Sequence, residues 1–270
     1  MGIHDREYAR PTRARKSFGG QKRKNWSVTT WLIVICAAFY FIDPFINHVL
    51  RDWLYMSTDH AIWGLQYWRL IGFQFLHANF QHLLFNMIGL FFFGPLVEQY
   101  LGGKRFLAFY LLCGIFGAVL YLILNLGGYI FDDSIPGLLF NDTATPLVGA
   151  SAGVFGILLA GAFLAPNVKV LVFFIIPMRL STMAYLLVVV ALFTVIFGKN
   201  NAGGEAAHLG GAAAGWYFIR HPHHLNGFFD FLGKADPTSD HFAWRDKGAS
   251  QGDVDRILDK IHKKGLNSLS

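Results

Sequence analysis

The sequence predicts an all-α polytopic membrane protein: a bundle of six membrane-spanning helices with a polar tail at each end. Three observations carry that fold class. Hydrophobic residues make up 54% of the chain against 15% charged, too apolar a balance for a solvated domain of this length. The apolar residues come in blocks, without the 3.6- or 2.0-residue period of half-buried helices and strands. Basic residues crowd one end of the chain and thin out elsewhere.

A helix needs about 20 mostly apolar residues to cross a bilayer. Six stretches approach that length, at about 26–42, 83–101, 106–124, 147–165, 181–197 and 206–219, the first and last being the shortest. Between the first two lies an aromatic-rich connection with Trp53, Trp63, Tyr67 and Trp68. Such side chains favour the membrane–water interface, so this loop is expected to lie half-embedded. The apolar run 170–177 is interrupted by Pro177 and followed by Arg179, which predicts a loop or interfacial segment leading into the fifth span. Cys36 and Cys113 both fall inside spans, where they are expected as small packing residues and not as a disulfide.

The chain divides into a basic N-terminal tail at 1–25, a core at 26–220 and a polar C-terminal tail at 221–270. The first apolar run begins late and lacks a small-residue cleavage site, so no signal peptide is expected. In the C-terminal tail Val254, Ile257, Leu258 and Ile261 fall at i, i+3, i+4 and i+7, with Gly265 as a stop. That pattern predicts a short amphipathic helix.

Charge sets the orientation. Arg6, Arg10, Arg13, Arg15, Lys16, Lys22, Arg23 and Lys24 precede the first span, against Asp5 and Glu7. By the positive-inside rule this end is cytoplasmic, and six spans return the C-terminus to the same side. Lys104, Arg105, Lys169 and Arg179 then fall in inner loops, whereas the outer loop at about 126–146 has Asp132, Asp133 and Asp142 and no Lys or Arg. Arg51, Arg69 and Lys199 are exceptions in outer loops. A topogenic role explains the basic tail more simply than a nucleic-acid or anionic-lipid arm or a transit peptide, and the expected partner is the lipid bilayer, not nucleic acid. The expected location is a bacterial inner membrane, multi-pass, with both termini cytoplasmic.

In this topology spans two, four and six all begin at the outer face. Their first turns carry His82 and Asn86, then Ser151, then His208. Polar side chains inside a span are expensive and usually face a cavity or one another. A serine needs a base to become a nucleophile, and histidine is the usual one. Gly149 and Gly153 are four apart in span four, as are Gly211 and Gly215 in span six, and small residues at that spacing let helix backbones pack closely in lipid. Ser151 at a helix N-terminus has free backbone N–H groups beside it, suited to a developing oxyanion. His82 and Asn86 lie one turn apart and offer further donors.

Gly149-x-Ser151-x-Gly153 also fits the nucleophile elbow of α/β-hydrolases. An elbow needs a preceding strand and an acid between serine and histidine in chain order. The flanks here are spans, and the only acid between Ser151 and His208 is Glu205, three residues before the histidine. A Ser–His dyad without an aspartate is the expectation. No cofactor and no metal are expected. His77 and His82 are five apart and no HExxH occurs, while His221, His223 and His224 read as interfacial. Span five and the segment Asn200-Asn201-Ala202-Gly203-Gly204 are candidates for a lateral gate and a cap.

At about residues 60–220 these motifs together resemble the rhomboid intramembrane serine proteases. They are Trp68-Arg69, His82-Leu83-Leu84-Phe85-Asn86, Gly149-Ala150-Ser151 and His208-x-x-Gly211-x-x-x-Gly215. The resemblance implies that Ser151 is the nucleophile and His208 its base, with His82, Asn86 and the Ser151 N–H as oxyanion donors. It implies that Phe155 packs on the histidine, that Glu98 is a structural acid, and that Trp68-Arg69 organises the first loop. Ala152 departs from the family pattern, in which a glycine usually follows the serine. Implied substrates are single-span proteins with helix-destabilising residues near the cut. The final amphipathic segment is similar to one appended to some bacterial rhomboids. Of two other classes, a transporter would show charged or broken spans at the midplane. A rhomboid-like pseudoprotease would bind membrane clients without cleaving them, and such relatives lose the serine or the histidine.

Overall fold

The computed structural model describes residues 26–131, 142–172, 175–197 and 201–229. Within them run α1 (Val28–Ile42), α2 (Val49–Leu54), α3 (Arg69–Gly72), α4 (Phe80–Leu101), α5 (Gly103–Phe131), α6 (Ser151–Leu164), α7 (Leu180–Phe197) and α8 (Ala202–Arg220). Among the described residues, four helical segments are long and apolar enough to cross a membrane: Val28–Ile46 (α1 and the 3₁₀ turn after it), α4, α5 and α7. α6 is a shorter apolar helix. Phe91, Val189 and Phe193 are among the large apolar side chains left on the outside of α4 and α7, as expected where lipid is the solvent.

α8 is the centre of the packing, and it is built from small residues for that reason. It lies against α5, α6 and α7. A side-chain carbon at Gly211 would run into the Ala152 backbone, and one at Gly215 into the backbone of Gly156, so α6 and α8 touch backbone to backbone along this seam. On its other side α8 meets α5, where a carbon at Gly117 would stand 2.6 Å from the Ala207 carbonyl oxygen.

α1 is tied to α4 by a carboxylate. Ser27 caps α1 by accepting the Thr30 N–H at 3.1 Å, and Glu98 accepts the N–H groups of Val28 at 2.7 Å and Thr29 at 2.9 Å. The Thr29 hydroxyl donates to the same carboxylate at 2.6 Å. Glu98 thus satisfies orphan donors at the positive end of α1 from the last turn of α4.

The connection from α1 to α4 is folded around Arg69, which is 4% exposed. Its guanidinium donates to the carbonyls of Tyr55 (2.7 Å) and Asp52 (2.8 Å) and to Gln66 Oε1 (2.6 Å). The Trp68 indole donates to the Trp53 carbonyl at 3.1 Å.

Three expectations need correction. The fold is mostly helical, but the stretch expected as a loop or interfacial segment is an antiparallel hairpin, β1 (Lys169–Val172) with β2 (Ile176–Arg179), in register Lys169↔Arg179 and Val172↔Ile176. Its alternation is short but real, with Val170 and Val172 turned inward and Lys169 and Leu171 outward. Ala202, Gly203 and Gly204, expected in a loop that could cap the site, form the first turn of α8, entered through Asn201 at φ 57°. The last helix consequently starts before 206, where residues too small or polar to raise the hydropathy are nonetheless helical. The amphipathic segment at 254–261 lies outside the described residues.

Candidate active site

α4 delivers His82 and Asn86. Asn79 caps the helix by accepting the His82 N–H at 2.8 Å, which fixes the first turn and puts His82 in it. The Ala78 N–H points at His82 Nδ1 at 3.4 Å, so in the neutral ring the proton belongs on Nε2. Asn86, one turn on and buried, donates to the His82 carbonyl at 2.8 Å.

α6 starts at Ser151 itself. The residue before it, Ala150, offers no side-chain cap, so N–H groups of the first turn have no partner within the helix. The approach to Ser151 is pinned from three sides. Leu147 and Met56 exchange both backbone hydrogen bonds, the Gly149 N–H reaches the Phe73 carbonyl at 3.0 Å, and the Tyr121 hydroxyl donates to the Thr145 carbonyl at 2.8 Å. Gly149 has φ 135°, a conformation that side chains rarely tolerate. A carbon there would lie 2.8 Å from His82 Nε2 and 3.4 Å from Ser151 Oγ; the glycine keeps the space between those two groups open.

α8 contributes His208. Its ring stacks on Phe155 of α6, centroids 4.2 Å apart and planes 8° from parallel. Nδ1 meets Glu205 Oε2 at 2.8 Å. Both side chains are largely sheltered, at 15% and 21% exposure.

Ser151, His208, His82, Asn86, Phe155 and Gly149 all line one cavity of about 920 Å³. It lies among the N-terminal halves of α4, α6 and α8 and extends past Met183 and Leu187 of α7 to Val172 and Met178 of the hairpin. Gly211 and Gly215 stay outside its lining, in the α6–α8 seam. Among the described residues no hydrogen bond joins the Ser151 hydroxyl to His208; the two groups share the wall of the cavity. Ala152 is also on that wall, its methyl directed to Gly117 of α5.

Two features of the site escaped the sequence reading. One is the Glu205–His208 contact, whose signal is the i, i+3 spacing on a helix. The other is His77, 3% exposed and edge-on to His82 with centroids 5.2 Å apart. Burial, with His82 adding to it, lowers the His77 pKa to about 3. Among the described residues no three His, Cys, Asp or Glu side chains converge as metal ligands. His221 and His224 instead stack on Tyr217.

Helices of this length and apolarity, packed round a polar-rimmed cavity, define a multi-pass helical membrane protein. Residues 64–221 match the Rhomboid domain family, and residues 239–270 match a family of unknown function. Similar curated proteins include RHOMBOID-like protein 12, mitochondrial, of Arabidopsis thaliana, 34% identical over 75% of this chain and 64% of that protein. The putative rhomboid protease YdcA of Bacillus subtilis is 31% identical over 49% of this chain and 59% of its own length. Rhomboid protease AarA of Providencia stuartii is 32% identical over 55% and 53%. The chain thus spans roughly half to two thirds of the length of these relatives. It belongs to the rhomboid family, whose members are commonly intramembrane serine proteases.

Proposed function

We propose that the protein is an intramembrane serine endopeptidase that cuts transmembrane proteins within or beside their membrane segments. The observation that carries this reading is the convergence of Ser151, His208, His82 and Asn86 on one cavity, with the His208 ring clamped between Phe155 and Glu205. His208 Nε2 takes the proton of Ser151 as its oxygen attacks the scissile carbonyl. The oxyanion is met by the Ser151 N–H at the head of α6, by His82 Nε2–H and by the second N–H of the Asn86 amide. The imidazolium then protonates the leaving amine, and water entering the cavity hydrolyses the acyl-enzyme.

In this reading α6 and α8 also cross the membrane, making six spans. α6 is short at ~21 Å (~1.5 Å per residue), and α8 is rich in glycine and alanine; both are enclosed by other helices and need little lipid-facing surface. By the positive-inside rule the basic N-terminal residues and Lys104, Arg105, Lys169 and Arg179 share one side, and the N-terminal ends of α4, α6 and α8, with His82, Ser151 and His208, lie towards the other. We place the protein in a bacterial inner membrane with the charged side cytoplasmic; the family includes mitochondrial members as well.

The test is cleavage of a single-span substrate in proteoliposomes by the wild type, Ser151→Ala and His208→Ala. Wild-type cleavage with a loss of at least about 1,000-fold in each variant is expected. Equal cleavage by the variants would exclude the dyad. Failure of the wild type to cut a panel of such substrates would favour a client-binding protein without proteolytic activity.

A further inference from the structure

We propose that Glu205 is a positioning residue for the base: its carboxylate accepts the His208 Nδ1–H and so turns Nε2 towards Ser151. This rests on the serine-protease reading above and adds a third member to its Ser–His pair. Glu205 and His208 are three apart on α8, a spacing that puts their side chains on one face. The 2.8 Å separation is that of a charge-assisted hydrogen bond, in a place where both groups are mostly shielded from water. A neutral imidazole carries one proton, and an acceptor at Nδ1 decides where it sits. With Nδ1–H held by Glu205, the lone pair is on Nε2, the atom a base must present. Phe155 fixes the plane of the ring and Glu205 fixes its rotation within that plane.

The other polar or titratable groups on the cavity wall are His82 and Asn86 of α4, Tyr121 of α5, Ser151 of α6 and Asn79, Thr145 and Asn201 from the connecting segments; α7 presents Met183, Leu186 and Leu187. Among the described residues, Glu205 is the carboxylate bonded to His208. A blander role exists, since an acid in the first turn of a helix is favourable whatever its neighbours. That role predicts a change in stability alone and no effect on the tautomer.

The decisive readout is the ¹⁵N spectrum of the His208 ring at alkaline pH, where imidazoles are neutral, with the signal identified by its loss in His208→Gln. Wild-type protein is expected to show Nδ1–H. Glu205→Gln keeps that tautomer, because the amide oxygen still accepts, but lowers kcat about tenfold through loss of charge. Glu205→Ala releases the ring towards the Nε2–H form of free imidazole and lowers kcat at least about a hundredfold, with KM changed less than about twofold. An unaltered tautomer in Glu205→Ala, or a wild-type kcat, would overturn the proposal. Repeating the spectrum on Ser151→Ala protein separates the two claims. If Ser151→Ala cleaves normally the serine mechanism falls, while the tautomer still reports whether Glu205 holds His208.

Discussion

Two histidines five residues apart in the chain, His77 and His82, sit against each other beside the cavity. His82 is hydrogen-bonded into the start of α4, and His77, 3% exposed, packs edge-on against it. Burial lowers the His77 pKa from 6.5 to about 3, so the folded protein keeps this ring neutral where an unfolded chain protonates it. The sign follows: the stability contributed is complete above pH 6.5 and is lost as pH falls towards 3, at up to about 1.4 kcal/mol per pH unit. His77→Gln should therefore flatten the fall in melting temperature of the detergent-solubilised protein between pH 6.5 and 5. An unchanged slope in the variant would remove His77 as its source. Ser151 and His208 were legible in the sequence because each is a polar residue heading an apolar run, an expensive placement that asks for a reason. The Glu205 contact was not legible in the same way. Spacing brings the carboxylate within reach, but the rotamer chooses between the imidazole and water, and only packing decides that.

The elements show where hydropathy suffices and where it fails. α4, α5 and α7 are long apolar runs and announce themselves, although their ends extend beyond the apolar core wherever a cap allows, as Asn79 does for α4. The β1–β2 hairpin was not legible as such, since a short apolar run broken by a proline fits loop, strand and helix start equally well. α8 is the instructive case: Gly203, Gly204 and Glu205 are poor span-formers in lipid, yet they are helical because α8 is wrapped by protein. The joint between α1 and α4 is likewise a matter of contacts between distant residues. Glu98 holds three donors of α1, and hydrogen bonds to a charged acceptor contribute about 1.5–3 kcal/mol each when well placed. Glu98→Ala should cost about 1–3 kcal/mol in detergent-unfolding experiments, since Glu98 is half-buried and water replaces part of the loss. A stability within about 0.5 kcal/mol of wild type would show that α1 is held by packing alone.

At the scale of the whole molecule, three parallel helices bring their N-terminal halves to one cavity, and the connections between them hold that cavity open to chemistry. Ser151 is placed by a backbone bridge to Met56 and by a glycine, His208 by a helix seam too tight for side chains, and His82 by an asparagine cap. The cap on α4 and the glycine before Ser151 are local in sequence, whereas the Met56–Leu147 bridge and the α6–α8 seam join distant residues, so local signals and the tertiary fold build the site together. The most direct measurement is covalent labelling of Ser151 by an active-site phosphonate in liposomes, located by mass spectrometry. The expected result is adduct on Ser151 in wild type and none on Ser151 in His208→Ala. Equal labelling of Ser151 in both proteins would mean that the imidazole does not activate the hydroxyl, and the proposed mechanism would be wrong.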